Sequence, residues 1–461
     1  ELYEAYQELF NEETISLLQE ALHQPETMEE ALSPKLLSFL LEYVVEHFLN
    51  AAGWRHKDRL QRRQEQAKVV IPEVEEIPLT WIPFRLANEP KRHRREFLST
   101  LAETVAAELH PYYRDYWQQM TSLAQALGYA HYAALWQEVG RLDLEGLQEQ
   151  GARFLAETED MYLDVLRWML KKRVDCSLKE ACRHDLLYLF RGAEFDRYFP
   201  PEEAMSILPT MARELYPEGE GGADILWEWR QDGKYPLSTA CLPVEVPERV
   251  YLLVAPHGGW KDYQRLLQEY GKALYYTHIP ATKPFPYQVL GDRSLWMSYA
   301  FLWASLTRQP SWIGKYLDWT QSEDYARLST LEKLFIVRRH IAKLRYELTW
   351  HQEGGGEETA EAYVEYISEA CRVRYPQAFY LAELESNLLP AWYLRAWFFE
   401  AGLRAYLQEQ YGEEWYRDPA AGAWLHELWS LGQEYTLEEL AALGYPSLRP
   451  DALIDDFLSR L

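Results

Sequence analysis

Helical periodicity runs through most of this 461-residue chain and limits it to a mainly α-helical fold. Apolar residues recur every three or four positions, as at Leu17, Leu18 and Leu22 and again over residues 36–44. The pattern resumes after Thr282 and continues to the C-terminus. We therefore expect helices to dominate, with each apolar stripe packed against a neighbouring helix.

Strands are predicted in one region only, over residues 225–254. Residues 225–227 and 250–254 are rich in β-branched and aromatic side chains, and a turn-rich stretch that begins at Gln231 lies between them. We predict a small sheet there, directly ahead of a helix. Residues 69–86 also lack helical period, and they predict an extended connector in which Pro72, Pro78 and Pro83 limit ladder pairing.

The charge balance excludes several classes of partner. The 72 Asp and Glu residues outnumber the 47 Lys and Arg residues, which gives a formal net charge of -25. A field of that sign repels nucleic acids and anionic membranes. With 48% hydrophobic residues the chain is typical of an ordered globular protein. We expect peptide or protein partners, and the sequence makes no prediction about oligomeric state.

The cysteines indicate a reducing compartment. Four cysteines in so long a chain, without a CxxC pair, make no disulfide framework. No apolar run approaches the roughly 18 residues of a membrane helix, and the first ten residues are acidic, unlike a secretory leader. We therefore expect a cytoplasmic protein without a membrane segment.

One helix carries the chemistry-bearing residues of the chain. Gly258 and Gly259 precede a periodic segment that ends before Pro280, which predicts a helix over about residues 260–277. Its apolar stripe consists of Tyr263, Leu266, Leu267, Tyr270, Leu274 and Thr277. A second face consists of Gln268, Glu269, Lys272 and Tyr276.

The segment Gln-Glu-Tyr-Gly-Lys-Ala-Leu-Tyr at residues 268–275 resembles the His-Glu-x-Gly-His-Ala-x-His segment of the thimet oligopeptidase and oligoendopeptidase F family, which are zinc metallopeptidases of the gluzincin type. In that family the two histidines bind zinc and the glutamate is the general base for the zinc-bound water. The resemblance implies that Glu269 retains the general-base position. It also implies that Gln268 and Lys272 stand at former metal-ligand positions.

The family's third ligand is a glutamate on the next helix, about twenty-five residues beyond the second histidine. Counting from Lys272 places Met297 in this position. Asp292 is the nearest carboxylate if the register is shifted. With Met297 in the slot, all three zinc ligands of the family are replaced.

The replacements are poor zinc ligands. An amide is a weak neutral donor, a charged ammonium has no lone pair, and a thioether prefers soft metals. We therefore expect neither a metal nor another cofactor, although active members of the family bind zinc. Because Lys272 lies three residues after Glu269, we expect its ammonium to pair with that carboxylate and to take over the electrostatic role of the metal.

The resemblance implies further site positions. Tyr393 stands near the tyrosine that steadies the oxyanion in active members and is a candidate donor. Candidate residues lining a cleft are His257, Tyr275, Tyr276, Asp292 and Tyr299. For His257 two interpretations stay open, a donor beside the cleft or an ordinary residue of the loop that enters the helix.

Two other histidines are interpreted as structural. His278 lies just beyond the predicted helix, where a cation would complement the helix dipole, so we expect a C-terminal cap. His184 and Asp185 are adjacent on a predicted helix and would not face each other as a catalytic pair does.

The resemblance covers the second half of the chain, and the first half shares only helical character and length with the family. It implies a mainly α-helical, two-lobed body around a deep cleft, with a small β-sheet near the former active site. We expect an N-terminal helical lobe over residues 1–224 and a metallopeptidase-like region over residues 225–461.

The leading functional hypothesis is a non-catalytic, metallopeptidase-like protein, a pseudopeptidase that binds peptides or a protein partner in the inherited cleft. One alternative is an active metal-dependent oligopeptidase or carboxypeptidase with relocated ligands. Another is a structural subunit that pairs with an active relative. Whether the chain is an enzyme stays open, and the replaced ligands favour the non-catalytic hypothesis.

Overall fold

A computed structural model describes residue 6 and residues 8–23, 33–71, 74–217, 225–229 and 239–461. The fold is mainly α-helical, as predicted. The chain divides into two compact units, one formed by Glu1–Arg191 and Leu334–Ala391 and the other by Gly192–Lys333 and Trp392–Leu461. The boundary after residue 224 stays a prediction.

The first unit contains most of the helices of the N-terminal part. They are α1 (Glu12–His23), α2 (Pro34–Gln66), α3 (Ile82–Asn88), α4 (Arg92–Glu108), α5 (His110–Ala126), α6 (Tyr132–Val139), α7 (Leu144–Glu157), α8 (Glu159–Met169) and α9 (Arg183–Leu189). The second unit opens with α10 (Pro201–Leu215).

A β-hairpin in the first unit corrects the expected connector. Strands β1 (Lys68–Ile71) and β2 (Glu75–Pro78) pair in antiparallel register. Pro78 is the last residue of β2, and Pro83 lies in the first turn of α3, so neither position needs a backbone N–H for pairing. Pro78 and Pro83 therefore mark the ends of short elements, and Pro72 lies outside the described residues.

The second unit holds the predicted sheet. Its strands are β3 (Ile225–Trp229), β4 (Ala240–Glu245) and β5 (Arg249–Val254), in the order β3-β5-β4. Strand β5 is parallel to β3 and antiparallel to β4. The turn-rich stretch that begins at Gln231 lies outside the described residues.

The remaining helices follow the sheet. They are α11 (Trp260–Thr277), α12 (Phe285–Val289), α13 (Arg293–Ser305), α14 (Pro310–Leu317), α15 (Glu323–Glu353), α16 (Glu358–Cys371), α17 (Leu389–Tyr411), α18 (Pro419–Ser430), α19 (Leu437–Ala442) and α20 (Asp451–Arg460). Helix α15 contributes residues to both units, and α16 belongs to the first.

Helix α11 begins where the glycine pair predicts it. Gly259 precedes the helix with a φ of 90°, and the Asp262 carboxylate accepts the backbone N–H groups of His257 and Gly258 at 2.7 and 3.0 Å. The predicted apolar stripe is buried in full, which confirms the helix and its face. Tyr275 and Tyr276 are buried as well, so α11 is enclosed on more sides than the stripe predicted.

Gly271 lets α11 and α13 approach closely. A Cβ at this position would lie 2.6 Å from Cδ1 of Trp303 and 2.8 Å from the backbone oxygen of Tyr299, both on α13. Such distances are well inside van der Waals contact, so only glycine fits without displacing α13.

Large aromatic side chains fill the core of the second unit. Those with less than 2% exposure include Trp260, Trp303, Trp312, Trp392, Trp415 and Trp429. Their indoles pack mainly against one another and against tyrosines, as in the edge contact between Trp303 and Trp415 at 5.7 Å.

Along the described part of the chain, no helix combines the length and apolar character that crossing a bilayer requires.

The close approach at Gly271 generates a stability prediction. Gly271→Ala adds a methyl group against the α13 backbone, and we expect the free energy of unfolding to fall by about 1–3 kcal/mol. Gly314→Ala is the matched control, since Gly314 lies within α14 and a Cβ there meets nothing within 4 Å. It should raise stability by up to about 1 kcal/mol through helix propensity. Urea unfolding measures both, and equal effects would contradict the packing argument.

Candidate functional site

The Glu269 carboxylate joins α11 to the sheet. One oxygen, Oε2, accepts a hydrogen bond from the Lys272 ammonium at 2.9 Å and another from the backbone N–H of Cys241 at 2.9 Å. Glu269 is only 8% exposed, so these two donors replace the water that a carboxylate would otherwise hold. The ion pair expected between Glu269 and Lys272 is present.

The Lys272 ammonium has a second contact, with an aromatic ring. It lies over the indole of Trp296 on α13, 4.9 Å from the ring centre. An ammonium gains attraction from the face of an indole, most of all when it is partly desolvated, and the Lys272 side chain is 18% exposed. The charge is therefore held between a carboxylate of its own helix and an indole of the next helix.

The positions predicted to be former metal-ligand positions lie on two neighbouring helices. Gln268 is half-buried on α11, and Met297 is 6% exposed on α13, directly after Trp296. Because α11 and α13 pack against each other, the segments that carry the motif are brought together as the sequence implied. The assignment of Met297 to the third ligand position stays a prediction.

Asp292 serves the beginning of α13. Its Oδ1 accepts the N–H of Ser294 at 2.9 Å, and its Oδ2 accepts the N–H of Leu437 at 3.2 Å and bonds to the Arg395 guanidinium. The side chain is 2% exposed. Asp292 therefore caps the N-terminus of α13 and forms a buried ion pair with Arg395.

Cys241 is a site residue that the sequence reasoning missed. Burial raises the pKa of its thiol to about 12, with the nearby Glu269 carboxylate acting in the same direction against Lys272. The thiol is therefore protonated at neutral pH and is not a nucleophile. Cys241 contributes its backbone N–H to the site, and no pattern of side chains in the sequence indicates such a contact.

Trp296 was also missed. Its place one residue before Met297 is a signal in the sequence from which it could have been predicted.

The tyrosines predicted to line a cleft lie in the core or near it. Tyr275 and Tyr299 pack against each other with ring centres 4.9 Å apart and are at most 1% exposed. Burial raises the pKa of both phenols well above the usual value. Tyr276 is 7% exposed, and burial, with Cys241 and Glu269 nearby, also raises its pKa.

His257 and Tyr393 occupy different surroundings. His257 is exposed in the loop before α11, where its backbone N–H bonds to Asp262. The half-buried ring of Tyr393 stacks on Trp397 at 5.5 Å and lies 5.7 Å from Phe301. These contacts fix the Tyr393 ring but assign no role to its hydroxyl.

His278 caps α11 without a charge. Its ring Nδ1 lies 2.5 Å from the backbone oxygen of Leu274, in the last turn of the helix, and the same oxygen accepts a hydrogen bond from the Thr277 hydroxyl at 3.0 Å. Burial is the main cause that lowers the pKa of His278 to about 4. The expected cap is present, but it acts as a neutral hydrogen-bond donor, so the expected complement to the helix dipole by a cation is wrong.

In the first unit, Cys182, His184 and Asp185 lie together, with one potential ligand atom from each within 4.8 Å of the others. Asp185, however, bonds to Arg95 at 2.9 Å and to Arg92 at 3.3 Å. Two guanidinium groups neutralise that carboxylate, and a dication there would be repelled. His184 Nε2 lies 3.6 Å from Asp185 Oδ2, so the expectation that the two side chains do not approach each other is wrong. The ion pairs of Asp185 with both arginines still agree with a structural role.

No protein-family model matches the chain, and no curated protein matches it. Among solved structures it is similar to PZ peptidase A with inhibitor 2, with a TM-score of 0.65 and 13% identity over 98% of this chain and 84% of that one. It is also similar to an oligoendopeptidase F from Bacillus anthracis strain Ames, with a TM-score of 0.65, 14% identity and coverage of 99% and 84%. At such identities the likeness shows the fold, which is that of oligoendopeptidase-like, mainly α-helical proteins.

The Glu269–Lys272 pair generates a prediction of coupled stability. Lys272→Met would leave a buried carboxylate without its counter-ion, and we expect a loss of about 2 kcal/mol or more in the free energy of unfolding. Adding Glu269→Gln removes the stranded charge and should recover part of that loss. Together with Glu269→Gln alone, these variants form a double-mutant cycle that urea unfolding measures.

The control for this cycle is Lys171→Met, which breaks an exposed pair with Asp175 and should change stability little. If the double variant is no more stable than Lys272→Met alone, the carboxylate is not the group that Lys272 stabilises.

His278 generates a prediction of pH dependence. The unfolded chain protonates this histidine near pH 6.5, while the folded protein does so only near pH 4. Over that window the unfolded state binds more protons, so stability is present above pH 6.5 and falls as pH drops, by roughly 3 kcal/mol for this group. His278→Gln should flatten the slope of unfolding free energy against pH between 6.5 and 4. An unchanged slope would contradict the assignment.

Proposed function

We propose that the protein is a non-catalytic relative of the oligoendopeptidase-like metallopeptidases that binds peptides or a protein partner instead of cleaving them. The observation that carries the proposal is the 2.9 Å ion pair between Lys272 and Glu269. In an active peptidase a metal ion supplies positive charge beside the general base. Here the Lys272 ammonium supplies that positive charge, and it is bonded to the carboxylate that would act as the base.

The donors around Glu269 do not fit zinc. Zinc takes deprotonated sulfur, imidazole nitrogen or carboxylate oxygen, usually three or four of them. Here Lys272 is engaged as an ammonium and Met297 offers only a thioether, which leaves Glu269 and the Cys241 thiol, fewer than the three ligands that zinc usually takes. In the described parts of the chain, the one cluster of three His, Cys, Asp or Glu ligand atoms lies in the first unit at Cys182.

Strand β4 offers a surface for a partner beside this pair. Leu226, Tyr251 and Leu242 stand opposite one another across β3, β5 and β4, and Leu226 and Leu242 are 39% and 45% exposed. Val244, farther along β4, is 58% exposed. Apolar residues grouped on one sheet face are typical of a site that takes apolar side chains of another chain.

The outer edge of β4 is short of backbone donors. The N–H of Cys241 is bonded to Glu269, and Pro243, two residues on, has no N–H. An extended peptide added to this edge would therefore find carbonyl acceptors but few donors. Recognition by apolar side chains on the face of the sheet is favoured over strand addition at that edge.

The cysteines agree with a reducing cytoplasm, which remains part of the proposal. All four are free thiols, at Cys176, Cys182, Cys241 and Cys371.

Metal analysis and a cleavage assay distinguish a non-catalytic protein from an active peptidase. After equilibration with zinc chloride and gel filtration, we expect the protein to retain no stoichiometric zinc by mass spectrometry. An internally quenched peptide library should show no cleavage that a chelator abolishes. Stoichiometric zinc together with chelator-sensitive cleavage would overturn the proposal and support the alternative of an active peptidase with relocated ligands.

Binding is tested with the same peptide library, labelled with fluorescein and followed by anisotropy. Leu242→Glu should weaken binding, while Leu443→Glu should not, since Leu443 is an exposed leucine of the second unit outside the sheet, 58% exposed against 45% for Leu242. Absence of binding in the wild-type protein would count against peptide recognition and favour a structural subunit.

A further inference from the structure

A pocket in the first unit, distinct from the Glu269 site, carries an inference of its own. Helices α7, α15 and α16 line it together with Glu159 at the start of α8 and Arg372 just after α16. Its volume is about 340 Å³, which suits a small organic molecule. We call it the arginine pocket after three of its lining residues, Arg338, Arg345 and Arg372.

The walls of the arginine pocket are largely apolar and made of small residues. The apolar lining comprises Ala152, Leu155, Ala156, Ile341, Ala342 and Ala370. Beneath it, α7 lies close to α15, since a Cβ on Gly151 would meet Cγ2 of Ile341 at 2.8 Å. Short side chains on closely packed helices leave the space open, and the walls favour an apolar ligand body.

Arg338 and Glu159 form the fixed part of the polar lining. Arg338 is 1% exposed as a side chain and bonds to Ala370 O at 2.8 Å, to Leu155 O at 3.0 Å and to Glu159 at 2.5 Å. The other carboxylate oxygen of Glu159 accepts from Nε of Arg372 at 2.6 Å. Two guanidinium groups thus share one carboxylate, which leaves one positive charge in excess.

Arg345 adds another cation at the mouth. Its guanidinium lies 3.8 Å from the ring centre of Tyr366, and it pairs with no carboxylate among the residues that the structure describes. Glu369, exposed at the rim, is the second carboxylate of the lining. Three arginines against two glutamates give the pocket a local charge of +1, although the whole chain carries -25.

We propose that the arginine pocket binds a small carboxylic acid with an apolar body. The carboxylate would be held by Arg345 and by the guanidinium nitrogens of Arg372 other than Nε, and the apolar body would lie along the alanine-rich walls. Planar guanidinium groups suit a carboxylate because they donate two parallel hydrogen bonds. Tyr366, under Arg345, keeps that guanidinium oriented.

The test compares three probes of one shape and different charge, 4-phenylbutyrate, 4-phenylbutanamide and 4-phenylbutylamine, by isothermal titration calorimetry on the full chain. We expect saturable binding of the acid, with the amide weaker by about tenfold or more because it forms no charge-assisted bond. Equal affinities of acid and amide would overturn the proposal. A preference for the amine, which Glu369 would favour, would overturn it as well.

Variants assign the binding to this pocket. Arg345→Gln should lower the affinity for the acid by about tenfold. Ala156→Phe should abolish binding of the acid, because the larger side chain fills the pocket while all three arginines remain. The control is Arg167→Gln on α8, an exposed arginine paired with Asp164 away from the pocket lining. Circular dichroism confirms folding of each variant. Acid binding that survives both pocket substitutions, or its absence in the wild-type protein, would refute the site.

Discussion

The charge of Glu269 has to be compensated inside the second unit, and much of the surrounding structure follows from this requirement. A carboxylate that is 8% exposed is costly unless donors replace its water. Lys272 provides the counter-charge from the same helix, and Cys241 provides a backbone donor from β4. One oxygen atom thus ties α11 to the sheet. Gly271, on the same helix, lets α13 approach so that Trp296 covers the ammonium.

The sequence could predict the features of this site that are local along the chain. The glycine pair and the apolar stripe predict α11, and a lysine three residues after a glutamate predicts their ion pair. Features that depend on partners far apart in sequence could not be predicted in this way. The N–H of Cys241 reaches Glu269 across 28 positions, and it is a backbone group that every residue except proline offers.

Proline and tyrosine show where single-sequence patterns mislead. The prolines of residues 69–86 were expected to limit pairing in an extended connector, yet a hairpin forms because Pro78 lies at a strand end and Pro83 in a first helical turn. Tyr275 lies outside the apolar stripe of α11 and was a candidate for a cleft, yet it is fully buried. A stripe predicts one buried face, whereas α11 is covered by the sheet and by α13 as well.

The Glu269 site and the arginine pocket differ in the balance of charges within a few ångströms, a difference that the net charge of the chain does not show. At Glu269 one ammonium meets one carboxylate, so no charge remains for an ion or a charged ligand. In the arginine pocket two guanidinium groups share Glu159, and Arg345 stands over an aromatic ring. The surplus there survives a chain charge of -25 because exposed charges more than about 10 Å away are largely screened, while those lining a cavity are not. Basic and acidic side chains therefore balance at the Glu269 site, whereas the basic ones are in excess in the arginine pocket.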